Sequence, residues 1–234
     1  MALLDRLAED PARTGLFLDV DGVLAPIVAR PEDVRVPDET RAELRRLHAR
    51  YALVACISGR AGADAQRVVG VPELTYVGNH GLEVEPAAAG WAARLHEFLA
   101  TVDWPEVEDK GLTATLHYRN ADERAALKVL DGVATRARAA GFVARYGRKV
   151  LEVLPPLQAS KGSAVRRLLA EHHLERALYA GDDTTDLDAF AALDAISVAV
   201  RVAVSSPEGP AELRARADLV VASTSDVVAL LQQL

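Results

Sequence analysis

The 234-residue sequence has one cysteine, Cys56, and no excess of positive charge: 27 Lys and Arg stand against 34 Asp and Glu, a net charge of −7. A single cysteine excludes an internal disulfide. Its place in the apolar run Leu53-Val54-Ala55-Cys56-Ile57 reads as a small core residue rather than a nucleophile. The acidic balance argues against a nucleic-acid surface, so an anionic ligand would need a local positive site. The opening segment lacks a long apolar stretch and carries acids throughout. It therefore reads as neither a signal peptide nor a membrane span, and the expectation is a cytoplasmic protein, a monomer with no membrane or nucleic-acid partner. Internal repeats and low-complexity segments are also lacking. Hydrophobic residues at 50% and charged residues at 26% are ordinary for a globular chain able to bury one or two cores.

From Thr14 to about Gly78, short apolar runs alternate with amphipathic segments. Gly15 to Leu18, Leu53 to Ile57 and Leu74 to Val77 read as buried strands, with helices opening at Pro37 and running through Gln66. The rhythm returns near the end. A helix spans about Ser160 to His172, strands cover Ala177–Ala180, Ile196–Val200 and Leu219–Val221, a helix covers Leu187 to Leu193, and Ser225 to Leu234 closes the chain as a helix. Strands without polar alternation, separated by helices, predict a parallel sheet in an α/β core. The middle differs: Thr113 to Tyr118 alternates, Trp91–Thr101 and Asp122–Ala140 read as helices, and Phe142–Tyr146, Gly147 and Lys149–Val153 read as a hairpin. The expected division is a core of residues 1–84 and 159–234 with a small α+β insert at 85–158, and Pro86 to Gly90 as its flexible joint.

Functional groups gather where core strands end, which is where open α/β sheets bind ligands. Asp19-Val20-Asp21-Gly22 follows the first strand, Ser58-Gly59-Arg60 the second, and Gly181-Asp182-Asp183-Thr184-Thr185-Asp186 a later one; Lys161 lies in the first turn of a helix. Taken singly, each has a plain alternative. Asp-x-Asp-Gly also serves as a turn, Ser-Gly is a common strand-to-helix turn, and an isolated lysine is usually solvated. Acids also favour helix N-termini, although three carboxylates in five positions repel one another unless a cation or water screens them.

Together, in this order, the four segments resemble the haloacid dehalogenase superfamily of phosphatases, with its Rossmann-like three-layer core and an inserted α+β cap of the C2 type. The resemblance implies a Mg2+-dependent phosphoric monoester hydrolase. Asp19 would attack phosphorus and Asp21 would act as acid and then base, so that a protonated, raised-pKa Asp21 is expected. Ser58 and the amides near Gly59 would hold phosphate oxygens, and Lys161 would add positive charge. Mg2+ would lie between Asp19, the backbone carbonyl of Asp21, and Asp182, with Asp183 and Asp186 orienting Lys161 or metal-bound waters.

Within that superfamily the chain resembles the trehalose-6-phosphate phosphatase family. The matching pieces are Ser58-Gly59-Arg60, Gly78 to Glu83, Val107 to Gly111, His117-Tyr118-Arg119, Gly147 to Val153 and Gly181 to Asp186. This likeness implies a phosphorylated disaccharide substrate, with Arg60 helping to hold the phosphate. Asn79, His80, Glu108, Lys110, Arg119, Arg148 and Glu152 are implied to bind substrate, although without the family such scattered charges read as a solvated sheet face. The chain departs from the family at Leu154, where a basic residue is usual, and at Leu187, where Glu is usual. Val20 and Val23 replace the commoner Tyr and Thr. The departures at Leu154 and Leu187 keep sucrose, glucosylglycerate and validoxylamine 7'-phosphate types open as substrates. A phosphomutase or phosphotransferase and a non-catalytic sugar-phosphate sensor are the competing readings.

Overall fold

A computed structural model of the chain describes residues 3–28, 33–147, 149–206 and 209–234. The strands are β1 Thr14–Leu18, β2 Leu53–Ile57, β3 Thr75–Val77, β4 Val107–Asp109, β5 Ala114–His117, β6 Val143–Gly147, β7 Val150–Leu154, β8 Arg176–Gly181, β9 Val198–Val204 and β10 Leu219–Val221. The helices are α1 Asp5–Ala8, α2 Asp38–Arg50, α3 Gly62–Val69, α4 Trp91–Leu99, α5 Glu123–Ala139, α6 Lys161–Glu171, α7 Asp186–Ala192, α8 Ala211–Arg216 and α9 Thr224–Leu231. They form two compact units, Met1–Gly81 with Ala159–Leu234, and Leu82–Gln158.

The larger unit is built on a six-stranded parallel sheet ordered β10-β9-β8-β1-β2-β3. Every residue of β1 and β2 is buried, as expected for strands covered on both faces. The two-residue period sorts them. Leu16, Leu18, Val54 and Cys56 join a cluster with Leu44 and Leu47 of α2, Val68 of α3 and Leu231 of α9. On β8, Tyr179 alternates with Leu178 and Ala180, and its ring meets Phe190 of α7 edge-on at 6.0 Å. The chain leaves β1 for β2 and β3 on one side and later fills β8, β9 and β10 on the other. The order therefore reverses between β1 and β8, and the carboxyl ends of these strands border the crevice at which such sheets bind ligands.

Two close approaches shape that edge. Ser160 caps α6 reciprocally with Ser163, setting Lys161 at the first helical position. A side-chain carbon at Gly162 would lie 2.2 Å from the carbonyl oxygen of Asp188 in α7, so glycine lets α6 and α7 touch where Lys161 and Asp186 begin.

The smaller unit has an antiparallel sheet ordered β4-β5-β7-β6. Leu116, Leu151, Val153 and Ala144 on one face pack with Leu95 and Phe98 of α4 and Leu130 and Val133 of α5. The other alternation places Glu108, Thr115, Glu152 and Arg145 in one row across all four strands.

Several expectations shift. Within the expected joint, Pro86 to Ala88 forms a short 3-10 turn capped by the Glu85 side chain, with Ala88 buried. The hairpin turns one residue later than expected: Gly147 pairs with Val150 inside the ladder, and Lys149 takes the left-handed conformation at φ 61°. Strand β9 runs on to Val204, with the backbone N–H of Arg201 satisfied by Asp218. Helices α1 and α8 were missed, being only four and six residues long. Among the described residues, no helix is long and apolar enough to cross a membrane.

Gly162→Ala should force α6 and α7 apart and destabilise the protein by roughly 1–3 kcal/mol. Urea unfolding midpoints of the two proteins measure this; an unchanged midpoint would show that the helix contact yields freely.

Candidate active site

The site grows from the carboxyl end of β1. Asp19 continues that strand, with its N–H donating to the Ala180 carbonyl at 3.0 Å. The chain then closes a tight turn in which the N–H groups of Leu24 and Ala25 donate to the Val20 carbonyl and that of Gly22 to Ala25. Val20 and Val23 are fully buried in the core, so the apolar residues at these positions serve as packing. Gly22 has φ +78°, and a side-chain carbon there would fall 2.1 Å from Oδ2 of Asp182. The turn thus depends on glycine twice, for its conformation and for the Asp182 carboxylate lying against it.

Three carboxylates meet here. Oxygens of Asp19, Asp182 and Asp186 lie within 4.8 Å of one another, and all three residues are buried. Lys161, 2% exposed, places Nζ 2.6 Å from Oδ2 of Asp19 and 2.7 Å from Oδ1 of Asp186. Asp186 is saturated. Its Oδ1 also accepts from the Tyr179 hydroxyl at 2.7 Å, and its Oδ2 accepts from the N–H groups of Asp182 and Asp183, each at 2.9 Å. Four donors leave it no lone pair for a cation, so Asp19 and Asp182 are the carboxylates suited to hold one. Burial raises the Tyr179 phenol well above its ordinary value, keeping it a donor.

One ammonium does not offset three buried carboxylates. Burial pushes Asp19 up to about 8 against the opposing charge of Lys161, and Asp186 and Asp182 push in the same direction as burial. Asp182 rises to about 7, again chiefly through burial, with Asp186 adding to it. Lys161 is held above its ordinary value: burial opposes its charge, but Asp19 and Asp186 outweigh burial. An all-oxygen cluster with surplus negative charge suits a hard divalent cation, which would take the place of the protons.

On the other side of β1, Ser58 ends β2 and is 1% exposed. Its hydroxyl accepts from the Arg60 N–H at 3.2 Å. Asn79 and His80 follow β3 in left-handed conformations, both with φ 52°. Their N–H groups donate to the carbonyls of Arg60 and Ser58 at 2.7 and 2.9 Å, and the His80 ring lies against Gly59. These two residues brace the Ser58-Gly59-Arg60 loop. The Arg60 guanidinium reaches back to Asp21, with Nε to Oδ2 at 2.7 Å and Nη2 to Oδ1 at 2.8 Å, while Nη1 donates to Asp64 at 2.7 Å. Asp183 is exposed and turns its carboxylate to the N–H of Thr184.

In the smaller unit, Glu108 Oε2 lies 3.0 Å from His117 Nε2 and accepts from it in the tautomer that carries the proton there, with Lys110 Nζ 3.7 Å from Glu108. Arg145 donates to Glu152 at 2.6 Å, and Arg119 is exposed just beyond β5. Arg148 lies outside the described residues. Leu154 pairs in register with Val143 at the end of the same sheet face.

The sequence reading overlooked Asp64, Tyr179 and Arg145. Asp64 was detectable as the acid four residues after Arg60 on a helical start. Arg145 was detectable by counting the hairpin back from Glu152. Tyr179 carried no signal, because a tyrosine in a buried strand is ordinary packing until its hydroxyl finds a partner.

The trehalose-phosphatase family model matches residues 17–223. A trehalose-phosphate phosphatase of Mycobacterium avium (strain 104) is 35% identical over 201 residues, covering 76% of this chain and 51% of that protein. The chain thus spans about half the length of this curated relative. The crystal structure of a trehalose-6-phosphate phosphatase related protein superposes with a TM-score of 0.72 at 24% identity, covering 94% of this chain and 96% of the other. A haloacid dehalogenase-like hydrolase from Bacteroides thetaiotaomicron gives 0.61 at 15% identity, covering 94% and 98%. Both structures share the fold.

The raised carboxyl groups set a pH dependence for chelated protein. Asp19 and Asp182 bind protons in the folded state that they release near pH 4 when unfolded, so folding takes up protons between about pH 4 and 8. Their contribution is full below pH 4 and is lost as pH rises through 7 to 8. The melting temperature in EDTA should therefore fall from pH 5.5 to 8.5, and Asp182→Asn should flatten the fall. A melting temperature that rises across this range would contradict the assignment.

Proposed function

The chain belongs to the trehalose-phosphatase family, and from that premise we propose that it hydrolyses a phosphorylated disaccharide, trehalose 6-phosphate first among the candidates, through an aspartyl-phosphate on Asp19. The observation carrying this reading is the buried Asp19 at the sheet's switch point, with Lys161 Nζ at 2.6 Å and with Ser58 and Asp182 at the ends of the two adjoining strands. A phosphate seated there would meet a carboxylate nucleophile, a hydroxyl and an ammonium together.

In this mechanism a carboxylate oxygen of Asp19 bonds to phosphorus as the bond from phosphorus to the sugar oxygen breaks. Asp21, protonated on a lone pair that the Arg60 fork leaves free, gives that proton to the departing oxygen and is reprotonated by the water of the second step. Water then attacks the phosphorus of the acyl phosphate, Asp21 takes a proton from that water, and inorganic phosphate leaves as the Asp19 carboxylate is restored. Lys161 and Ser58 hold phosphoryl oxygens throughout. The Asp19 and Asp182 carboxylates and the Asp21 carbonyl are the residues that would hold Mg2+, and the ion when bound neutralises charge on the phosphoryl oxygens. Asp186 keeps the Lys161 ammonium on Asp19.

The smaller unit is proposed to choose the sugar. Glu108, Lys110, Glu152 and Arg119 offer donors and acceptors suited to vicinal hydroxyls, with His117 and Arg145 paired to two of the acids. The apolar Leu154 and Val143, paired in the neighbouring row of the same face, keep other disaccharide phosphates open as substrates.

With Mg2+, phosphate release should be fastest from trehalose 6-phosphate among sucrose, glucosylglycerate and validoxylamine phosphates, and EDTA should abolish it reversibly. Asp19→Asn should lower turnover by more than about a thousandfold while leaving the circular dichroism spectrum unchanged. Saturable binding without phosphate release from any ester would overturn the enzymatic reading.

A further inference from the structure

Asp21 and Arg60 carry an arrangement that the proposed chemistry does not by itself require. Asp21 sits in the turn after β1 with its side chain 37% exposed, a setting in which a carboxyl group ordinarily samples several rotamers. Here both of its oxygens accept from one guanidinium edge, through Nε and Nη2 of Arg60. A bidentate fork fixes the plane of a carboxylate as well as its distance.

The fork is held from behind. Nη1 of Arg60 donates to Asp64, which lies in the first turn of α3, where the helix backbone fixes it and the dipole favours an acid. Burial opposes the Asp64 charge, but hydrogen bonds from Arg60 and Arg67 outweigh it and hold the carboxyl below its ordinary range. The Arg60 backbone is pinned as well, its N–H on Ser58 Oγ and its carbonyl accepting from Asn79. The charges therefore alternate from Arg67 through Asp64 and Arg60 to Asp21, entirely within the larger unit.

We propose that Asp64 is a positioning residue for the phosphatase reaction: through Arg60 it sets the orientation from which Asp21 serves the leaving oxygen. The proposal rests on the phosphatase reading above. It assigns Arg60 a task on the acid–base residue in addition to any contact with phosphate.

The role separates from phosphate binding by leaving group. Release of a sugar alkoxide needs the Asp21 proton in the first step, whereas 4-nitrophenolate and acetate leave without one. The ratio kcat/KM reports events only through formation of the aspartyl-phosphate, so the later hydrolysis step does not blur the comparison. For Asp64→Ala, kcat/KM on trehalose 6-phosphate should fall about tenfold or more. On 4-nitrophenyl phosphate or acetyl phosphate, whichever the wild type turns over, it should stay within about twofold. Asp64→Asn keeps an oxygen to accept from Arg60 and should recover most of the sugar-phosphate rate. Equal losses on both kinds of ester, or no loss on either, would overturn the proposal while leaving the phosphatase reading intact. Wild-type protein that releases phosphate from no ester would overturn the phosphatase reading, and this inference with it.

Discussion

The buried ion pair between Lys161 and Asp19 is the contact around which the larger unit is arranged. An ammonium with 2% exposure survives only where opposite charge is fixed close by, and Asp19 and Asp186 supply that charge at 2.6 and 2.7 Å. Each partner is held independently. Asp186 is locked by Tyr179 and two backbone N–H groups, Lys161 is delivered by a capped helix start, and Asp19 extends the central strand. Lys161 also sits where the dipole of its own helix disfavours a cation, so the carboxylates must overcome that as well as desolvation.

This arrangement leaves negative charge to spare. Lys161 offsets one of three buried carboxylates, and the upward shifts of Asp19 and Asp182 express the remainder. The surplus raises the affinity of Asp19 and Asp182 for protons. It also accounts for the two glycines that crowd carboxylates: Gly22 admits Asp182, and Gly181 lies so close to Asp186 that a side-chain carbon would sit 2.3 Å from its Cγ. Concentrating charge in so small a volume requires backbone without side chains beside it.

The smaller unit follows a different economy. Its core is a conventional sheet-and-helix contact, and its charges lie on the opposite face in cross-strand pairs. Such exposed pairs add little stability. Leu154 and Val143 pair beside that row on the same face and make its neighbouring rung apolar.

Much of this was legible in the sequence, for a physical reason. Buried parallel strands are continuous apolar runs, and polar groups at their carboxyl ends follow them directly, so Asp19, Ser58 and Asp182 could be read as strand ends and Lys161 as a helix start. The covered strands and long amphipathic helices were found to within a few residues. Short elements such as α1 and α8 were not, because they span too few turns for a periodic pattern. What one strand or helix dictates locally, sequence could express. Only the tertiary structure decided what depends on register and on approach between distant segments. It decided that Lys161 reaches both Asp19 and Asp186 and that Arg60 grips Asp21. Each of these is a distance of under 3 Å between residues whose spacing along the chain did not determine it.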